Sequence, residues 1–166
     1  MAVLVALAGF SGAGKTTAAD YFCNAGLAKK IYFGDVVLNE VRARGLPLTA
    51  DTERAVRIEL RERHGPAVFA CRATPLIKAQ LNQGVNVVVD AVFQDEEYRC
   101  LQDCCSTAFS CILLAIEASF ATRSQRLVAR RERPYSSEEL KARDNLERQK
   151  LHTDTAISGA KQKILN

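Results

Sequence analysis

Gly9-Phe10-Ser11-Gly12-Ala13-Gly14-Lys15-Thr16 is the stretch on which the reading of this 166-residue chain turns. Its spacing, G-x-x-x-x-G-K-T, is that of a P-loop, a glycine loop that wraps phosphate groups. The residues before it, Val3-Leu4-Val5-Ala6-Leu7, are apolar and strand-like; those after it, Thr17-Ala18-Ala19-Asp20-Tyr21-Phe22, suit a helix. A strand, a glycine loop and a helix in that order turn a pattern into a site. The glycines let the backbone curl and approach a phosphate with no Cβ in the way. Loop and helix N–H groups then point at the anion, where the helix dipole also favours negative charge. Gly9, Ser11, Gly12, Ala13, Gly14, Lys15, Thr16 and Thr17 are therefore the expected nucleotide-binding residues. Lys15 is expected at the β- and γ-phosphates and the Thr16 hydroxyl on Mg²⁺. The competing reading, a chance glycine-rich turn, has the flanking strand and helix against it.

Working outward, 48% of the residues are hydrophobic and 25% charged, which is the balance of an ordinary globular domain and not of a disordered or fibrous chain. One domain over residues 1–166 is expected. The net charge of +4 suits either an enzyme for anionic substrates or a mixed surface with a slight basic excess. No stretch approaches the roughly 20 apolar residues of a membrane helix. Met1 to Val5 has no basic n-region and reads as a first strand, so a cytoplasmic protein with no membrane partner is expected. The cysteines, Cys23, Cys71, Cys100, Cys104, Cys105 and Cys111, then read as reduced thiols. Cys100 and Cys104 lie one helical turn apart, but without a nearby histidine they read as buried thiols before a metal pair.

Along the chain, a helix from Lys15 to Ala25 stops at Gly26, and Ile31-Tyr32-Phe33 is a short second strand. Gly34-Asp35 opens a helix over Val36 to Arg44. Thr49 or Asp51 can cap an arginine-rich helix, Thr52 to His64, with Val56 and Leu60 as its apolar stripe. A helix carrying Val68, Phe69, Arg72, Leu76 and Leu81 follows Pro66, and Pro75 is expected to kink or interrupt it. The valine run ending in Asp90 reads as a strand buried on both faces. A helix over Gln94 to Cys105, a buried strand over Cys111 to Ile116 and a basic helix from Ser119 through Arg123, Arg126, Arg130 and Arg131 come next. Ser136-Ser137-Glu138-Glu139 is a capping box that opens another helix. Lys163-Ile164-Leu165 is a candidate fifth strand. Short strands alternating with helices imply right-handed crossovers: an α/β, three-layer α/β/α fold with a five-stranded parallel sheet. Ligands of such sheets sit beyond the C-terminal strand ends, where Gly9, Asp35 and Asp90 all fall.

Asp90 is the candidate Mg²⁺ partner, its alternative being a cap on the next helix. Asp35 either serves the acceptor, as a hydroxyl ligand or general base, or caps its own helix. Arg123 to Arg133 holds five arginines, with Arg123, Arg126 and Arg130 on one helical face and Arg131 and Arg133 at a Pro-containing loop. Arginine forks suit a transferring phosphoryl group, and a hinged arginine lid excludes competing water. Arg143 is a further lid candidate. A solvated basic helix is the alternative.

On these residues the chain resembles the nucleoside monophosphate kinase superfamily, within it dephospho-CoA kinases and a family of mostly archaeal nucleotide-kinase-like proteins. The matching segments run from Gly9–Thr16 through Phe33-Gly34-Asp35, Val87 to Ala91, Arg123 to Arg130, Ser136 to Leu140 and Arg143-Asp144 to Ile164-Leu165-Asn166. The resemblance implies the P-loop kinase fold with ATP as donor and Mg²⁺ as cofactor. It places acceptor binding at about 35–82, with Asp35, Arg57, Arg61 and Arg72, and a helical arginine lid at about 119–145. The expected catalytic set is Lys15, Asp35, Arg126, Arg130 and Arg143. Two positions depart from the relatives, which carry arginine where Leu38 and Phe93 stand here, and this puts the acceptor in question.

The expected function is therefore ATP-dependent phosphoryl transfer to a small-molecule acceptor, a nucleoside monophosphate or related nucleotide. Dephospho-CoA kinase activity is the alternative among enzymes, and a non-catalytic nucleotide-binding regulator the alternative among non-enzymes. A nucleic-acid partner is not expected, because aromatic stacking residues are few and scattered. A monomer or homodimer is expected.

Overall fold

The computed structural model describes residues 1–130 and 134–166. Five strands, β1 (Val3–Ala8), β2 (Lys29–Tyr32), β3 (Val87–Val92), β4 (Ser110–Glu117) and β5 (Gln162–Leu165), form one sheet in the order β2-β3-β1-β4-β5. Every pairing is parallel. Among the described residues the helices are α1 (Lys15–Asn24), α2 (Gly34–Ala43), α3 (Ala50–His64), α4 (Val68–Asn82), α5 (Asp95–Cys105), α6 (Phe120–Val128), α7 (Ser137–Leu151) and α8 (Thr153–Gly159). No helix among the described residues is long and apolar enough to cross a membrane.

The strand order explains where the site lies. After β1 the chain crosses through α1 to β2; after β3 it crosses through α5 to β4, passing β1 in the other direction. The connections diverge between β1 and β3, and that divergence opens a crevice at the C-terminal ends of these two strands. Alternation along β3 sorts its side chains between two cores. Val87 and Val89 face the large core built with α2, α3, α4 and α5, whereas Val88 faces the smaller core under α1. Asp90 shares the parity of Val88 and so points toward α1.

Local chemistry sets most boundaries as expected. Thr49 caps α3, accepting from the Thr52 N–H at 3.2 Å, and Ser136 caps α7 through a full capping box with Glu139. At the start of α5 the Glu97 carboxylate reaches back to accept from the Phe93 N–H at 2.8 Å and the Gln94 N–H at 3.3 Å.

Four expectations change. β3 continues two residues beyond Asp90, with a register shift against β1 between Leu7 and Ala8, so Asp90 lies inside the strand. α4 runs unbroken past Pro75; the lost helical donor concerns only the carbonyl of exposed Cys71, which water can satisfy. The basic helix ends at Val128, leaving Arg130 beyond it. Arg131 and Arg133 lie outside the described residues. Of the helical thiol pair, Cys104 is buried but Cys100 only half-buried, and no group of three or more His, Cys, Asp or Glu among the described residues is placed to hold a metal ion.

Candidate phosphate-binding site

The Gly9–Thr16 loop joins the buried end of β1 to the first turn of α1. Gly9 has φ +149°, and a Cβ there would run into the carbonyl oxygen of Ile116 on β4. Gly14 has φ +106° and is the N-cap of α1; a Cβ there would meet the Asn166 side-chain amide. Both positions favour glycine because each holds a positive φ that other residues rarely adopt, and at Gly9 backbone also fills the space a Cβ would need. Ala13 N–H donates to Phe10 O at 3.1 Å. The N–H groups of Gly12, Gly14, Lys15, Thr16 and Thr17 have no hydrogen-bond partner among the described residues. α1 has neither a side-chain cap nor an acidic residue in its first turn, and Thr16 and Thr17 are exposed. A helix start with open amides and no anion of its own is a cradle for an outside anion.

Lys15 closes one side of this cradle. Its Nζ donates to Gly9 O at 2.7 Å and Phe10 O at 3.1 Å and stands 5.2 Å from the centre of the Phe93 ring. Phe93 is thus a wall against the ammonium. Burial holds the Lys15 pKa down to about 8, opposed by the carboxylates of Glu147 and Asp90. Thr16 Oγ1 donates to Asp90 Oδ2 at 2.8 Å. Asp90 is buried and caps no helix, so the capping alternative for it does not apply.

The second half of the rim comes from α6 and α7. Arg123 is buried, with its Nη atoms 2.9 and 2.6 Å from the two carboxylate oxygens of Asp144. It also donates to Ser11 O at 3.1 Å and lies over the rings of Phe10 and Phe120. Arg143 Nε donates to Ser11 Oγ at 2.8 Å and to Glu147 Oε1 at 2.9 Å, and Ser11 Oγ itself donates to Glu147 at 2.9 Å. Both helices are therefore fastened to one P-loop residue, Ser11. Arg126 reaches the back of the loop, donating to Ala13 O at 3.4 Å and to Asn166 Oδ1 at 3.2 Å. Asn166 donates to the same Ala13 carbonyl at 2.9 Å. Beside it a cavity of about 440 Å³ is lined by Glu117, Ala118, Ser119, Leu165 and Asn166. Arg130 is exposed past the end of α6.

The acceptor-side residues are less gathered. Asp35 is exposed in the first turn of α2 and makes neither a cap nor a bond to any described residue. Arg57 is half-buried; desolvation first, then the nearby Arg143 guanidinium, lowers its pKa. Arg61 stacks over Phe69 at 4.7 Å and pairs with buried Glu97 at 3.2 Å. Burial pushes the Glu97 carboxyl up, with Arg61 and the Phe93 and Gln94 amides opposing. Arg72 is engaged elsewhere, on half-buried Glu40 at 2.8 Å.

The expected set omitted Arg123, Asp144, Glu147 and Asn166 as site residues. A signal for three of them exists: Leu140, Asp144 and Glu147 fall at i, i+4 and i+7, and Arg123 and Leu127 at i and i+4. Charges in a core-facing stripe need partners of opposite sign. Asn166 carries no comparable signal.

The comparisons agree with this geometry. A family model described as an AAA domain matches residues 5–152. A UPF0200/UPF0201 protein of Archaeoglobus fulgidus is 35% identical over 146 residues, covering 87% of this chain and 44% of that one. A UPF0200 protein of Thermococcus sibiricus is 28% identical, covering 86% and 75%, and one of Hyperthermus butylicus is 30% identical, covering 80% and 67%. The chain thus spans less than half of the Archaeoglobus protein and two thirds to three quarters of the other two. Among solved structures, an unliganded sugar kinase from Janibacter aligns over 100% of this chain and 85% of its own, with TM-score 0.59 at 17% identity. A shikimate kinase from Bacteroides thetaiotaomicron covers 98% and 86%, with TM-score 0.60 at 15% identity. At such identities the likeness is one of fold. With the phosphate cradle, the family match and the fold in agreement, the chain belongs to the AAA domain family and to the UPF0200 proteins, and it has the fold of the P-loop kinases.

Proposed function

We propose that this protein is a Mg-ATP-dependent phosphotransferase acting on a small anionic acceptor of the nucleoside monophosphate type. The observation that carries the reading is the 2.8 Å contact between Thr16 Oγ1 and Asp90 Oδ2 at the mouth of a helix start with open amides. A hydroxyl and a carboxylate side by side are hard oxygen ligands suited to Mg²⁺, and the open amides next to them suit phosphate. When bound with the nucleotide, Mg²⁺ neutralises charge that builds on the phosphate oxygens during transfer. The chain's own residues do the rest. The loop amides fix the phosphate chain, and Lys15 brings its charge to the same place. Arg143, held against Ser11, and Arg126 add positive charge where the equatorial oxygens gain negative charge. Arg130 completes the lid. The cavity beside Asn166 is where the nucleoside would lie on this reading. On the acceptor side Asp35 has a free carboxylate to orient a hydroxyl or phosphate, and half-buried Arg57 gains a counter-ion when an anionic acceptor enters. Residues 1–166 act as one domain, monomeric or dimeric, in the cytoplasm.

ADP release is measured with ATP, Mg²⁺ and a panel of nucleoside monophosphates, dephospho-CoA, sugars and small hydroxy acids. One acceptor class is expected to stimulate release. Tight ATP binding with no stimulated release by any acceptor overturns the kinase reading in favour of a nucleotide-binding regulator.

A further inference from the structure

Away from the nucleotide site, α4 and α5 pack against each other on one side of the sheet, and each brings a cysteine to the seam. Cys71 Sγ and Cys100 Sγ stand 3.0 Å apart. A disulfide requires about 2.05 Å, so the sulfurs need only about 1 Å of further approach. Cys71 is exposed and Cys100 half-buried, so a small reagent reaches the first and not readily the second. Pro75 has no N–H to give the Cys71 carbonyl, and so the turn of α4 that carries Cys71 lacks one helical bond and yields more easily than a regular turn. The other thiols of this region are placed differently. Cys104 and Cys105 are buried, and burial pushes both upward and Cys111 up to about 12, leaving them protonated near neutral pH.

We propose that Cys71 and Cys100 form a modification site, a dithiol that exchanges with low-molecular-weight disulfides such as oxidised glutathione and closes into a bond between α4 and α5. The Cys71 thiolate attacks one sulfur of the small disulfide, whose S–S bond breaks and releases one thiolate. Cys100 then gives its proton to water, and its thiolate attacks Cys71 Sγ, forming the Cys71–Cys100 bond and expelling the second small thiolate. The two protein thiols are oxidised and the small disulfide is reduced to two thiols, so atoms and electrons balance. Burial holds the Cys100 thiol up to about 11, and hydrogen bonding to the Cys71 thiol is the next cause.

The bond joins the segments that hold Arg61. Phe69, under the Arg61 guanidinium, lies two residues before Cys71, and Glu97, its ion-pair partner, lies three before Cys100. Oxidation therefore ties together the two supports of that arginine.

The full chain, reduced and freed of reductant, is incubated with excess oxidised glutathione, then alkylated in denaturant and mapped by mass spectrometry without reduction. Titratable thiols are expected to fall from six to four, with one cross-linked peptide pair containing Cys71 and Cys100, and dithiothreitol is expected to restore all six. Cys100→Ser should stop at a glutathione adduct on Cys71, and Cys71→Ser should leave Cys100 unmodified. A wild-type product that carries glutathione on Cys71 with no cross-link, a main cross-link through Cys104, Cys105 or Cys111, or no reaction at all overturns the proposal. The wild-type map decides the matter even if a variant fails to fold.

Discussion

The two halves of the crevice differ in how their residues are held. On the phosphate side, the Gly9–Thr16 loop, Asp90, Arg123 and Arg143 are locked together by contacts of 2.6–3.1 Å from four separate elements. On the acceptor side, Asp35 is unengaged and half-buried Arg57 makes no ion pair among the described residues, while Arg61 serves Glu97 and Arg72 serves Glu40. The first half is finished by the fold itself. The second consists of helices α2, α3 and α4, where Asp35 and Arg57 still have capacity for a ligand. Groups already bonded to one another leave little room for rearrangement on the first side, whereas the second still has polar groups free to meet a ligand.

The largest expected effect tests the finished half. Lys15→Ala should lower the proposed phosphotransfer by about 10³-fold or more, since it removes charge at the transferring group. It should leave the melting temperature within a few degrees, because the buried ammonium already disfavours its charged form. Steady-state kinetics and a thermal melt check both. Activity at the wild-type level would detach the loop from catalysis and dissolve the contrast.

Next comes the fastening of α6 and α7. Arg123→Ala leaves Asp144 buried with no bidentate partner, and breaking such a pair costs about 3–5 kcal/mol. For a chain of this size that corresponds to a melting temperature lower by roughly 10 °C. Asp144→Ala added to Arg123→Ala should recover part of the loss, because no buried charge is then left alone. Equal, additive losses in a double-mutant cycle would show that the pair is not a unit.

These two regions also differ in how far the sequence exposes them. The P-loop is contiguous, and its backbone and glycine requirements are local, so spacing alone identifies it. Asp90 is nearly as legible, since a valine run aims it at the sheet rim, although the extension of β3 to Val92 depends on pairing with β1, which local sequence does not encode. Arg123, Asp144 and Glu147 are harder. Their charges read as solvated helix surface until α6, α7 and the loop are packed together, when each is found facing the core. Asn166 reaches Ala13 only through the pairing of β5 with β4, a contact across 153 residues. The acceptor side is least legible because its arginines are chemically alike, and only packing decides which meets Glu40, which meets Glu97 and which is left over.

An intermediate effect sharpens the metal assignment. Asp90→Asn keeps the shape and a hydrogen bond to Thr16 while removing the charge, and it should lower turnover by about 10²-fold and raise the Mg²⁺ concentration needed for half-maximal rate. A lower turnover with an unchanged Mg²⁺ requirement would assign Asp90 to positioning Thr16 and not to the ion.

The smallest effects separate the arginines of the open half. Arg57 is desolvated and lies within reach of the Arg143 charge, so an anionic acceptor relieves an existing cost there. Arg57→Ala should raise the acceptor KM about tenfold, roughly 1.4 kcal/mol, with kcat little changed, since the contact is made equally in ground and transition states. Arg72 is more than a third exposed and already paired with Glu40, an arrangement worth about 0–1 kcal/mol at a surface. Arg72→Ala should therefore move the acceptor KM by about twofold at most. If the two substitutions act alike, the acceptor lies farther along α4 than the half-buried Arg57 indicates, and the division between a finished phosphate half and an acceptor half centred on α3 would have to be redrawn around the Glu40–Arg72 pair.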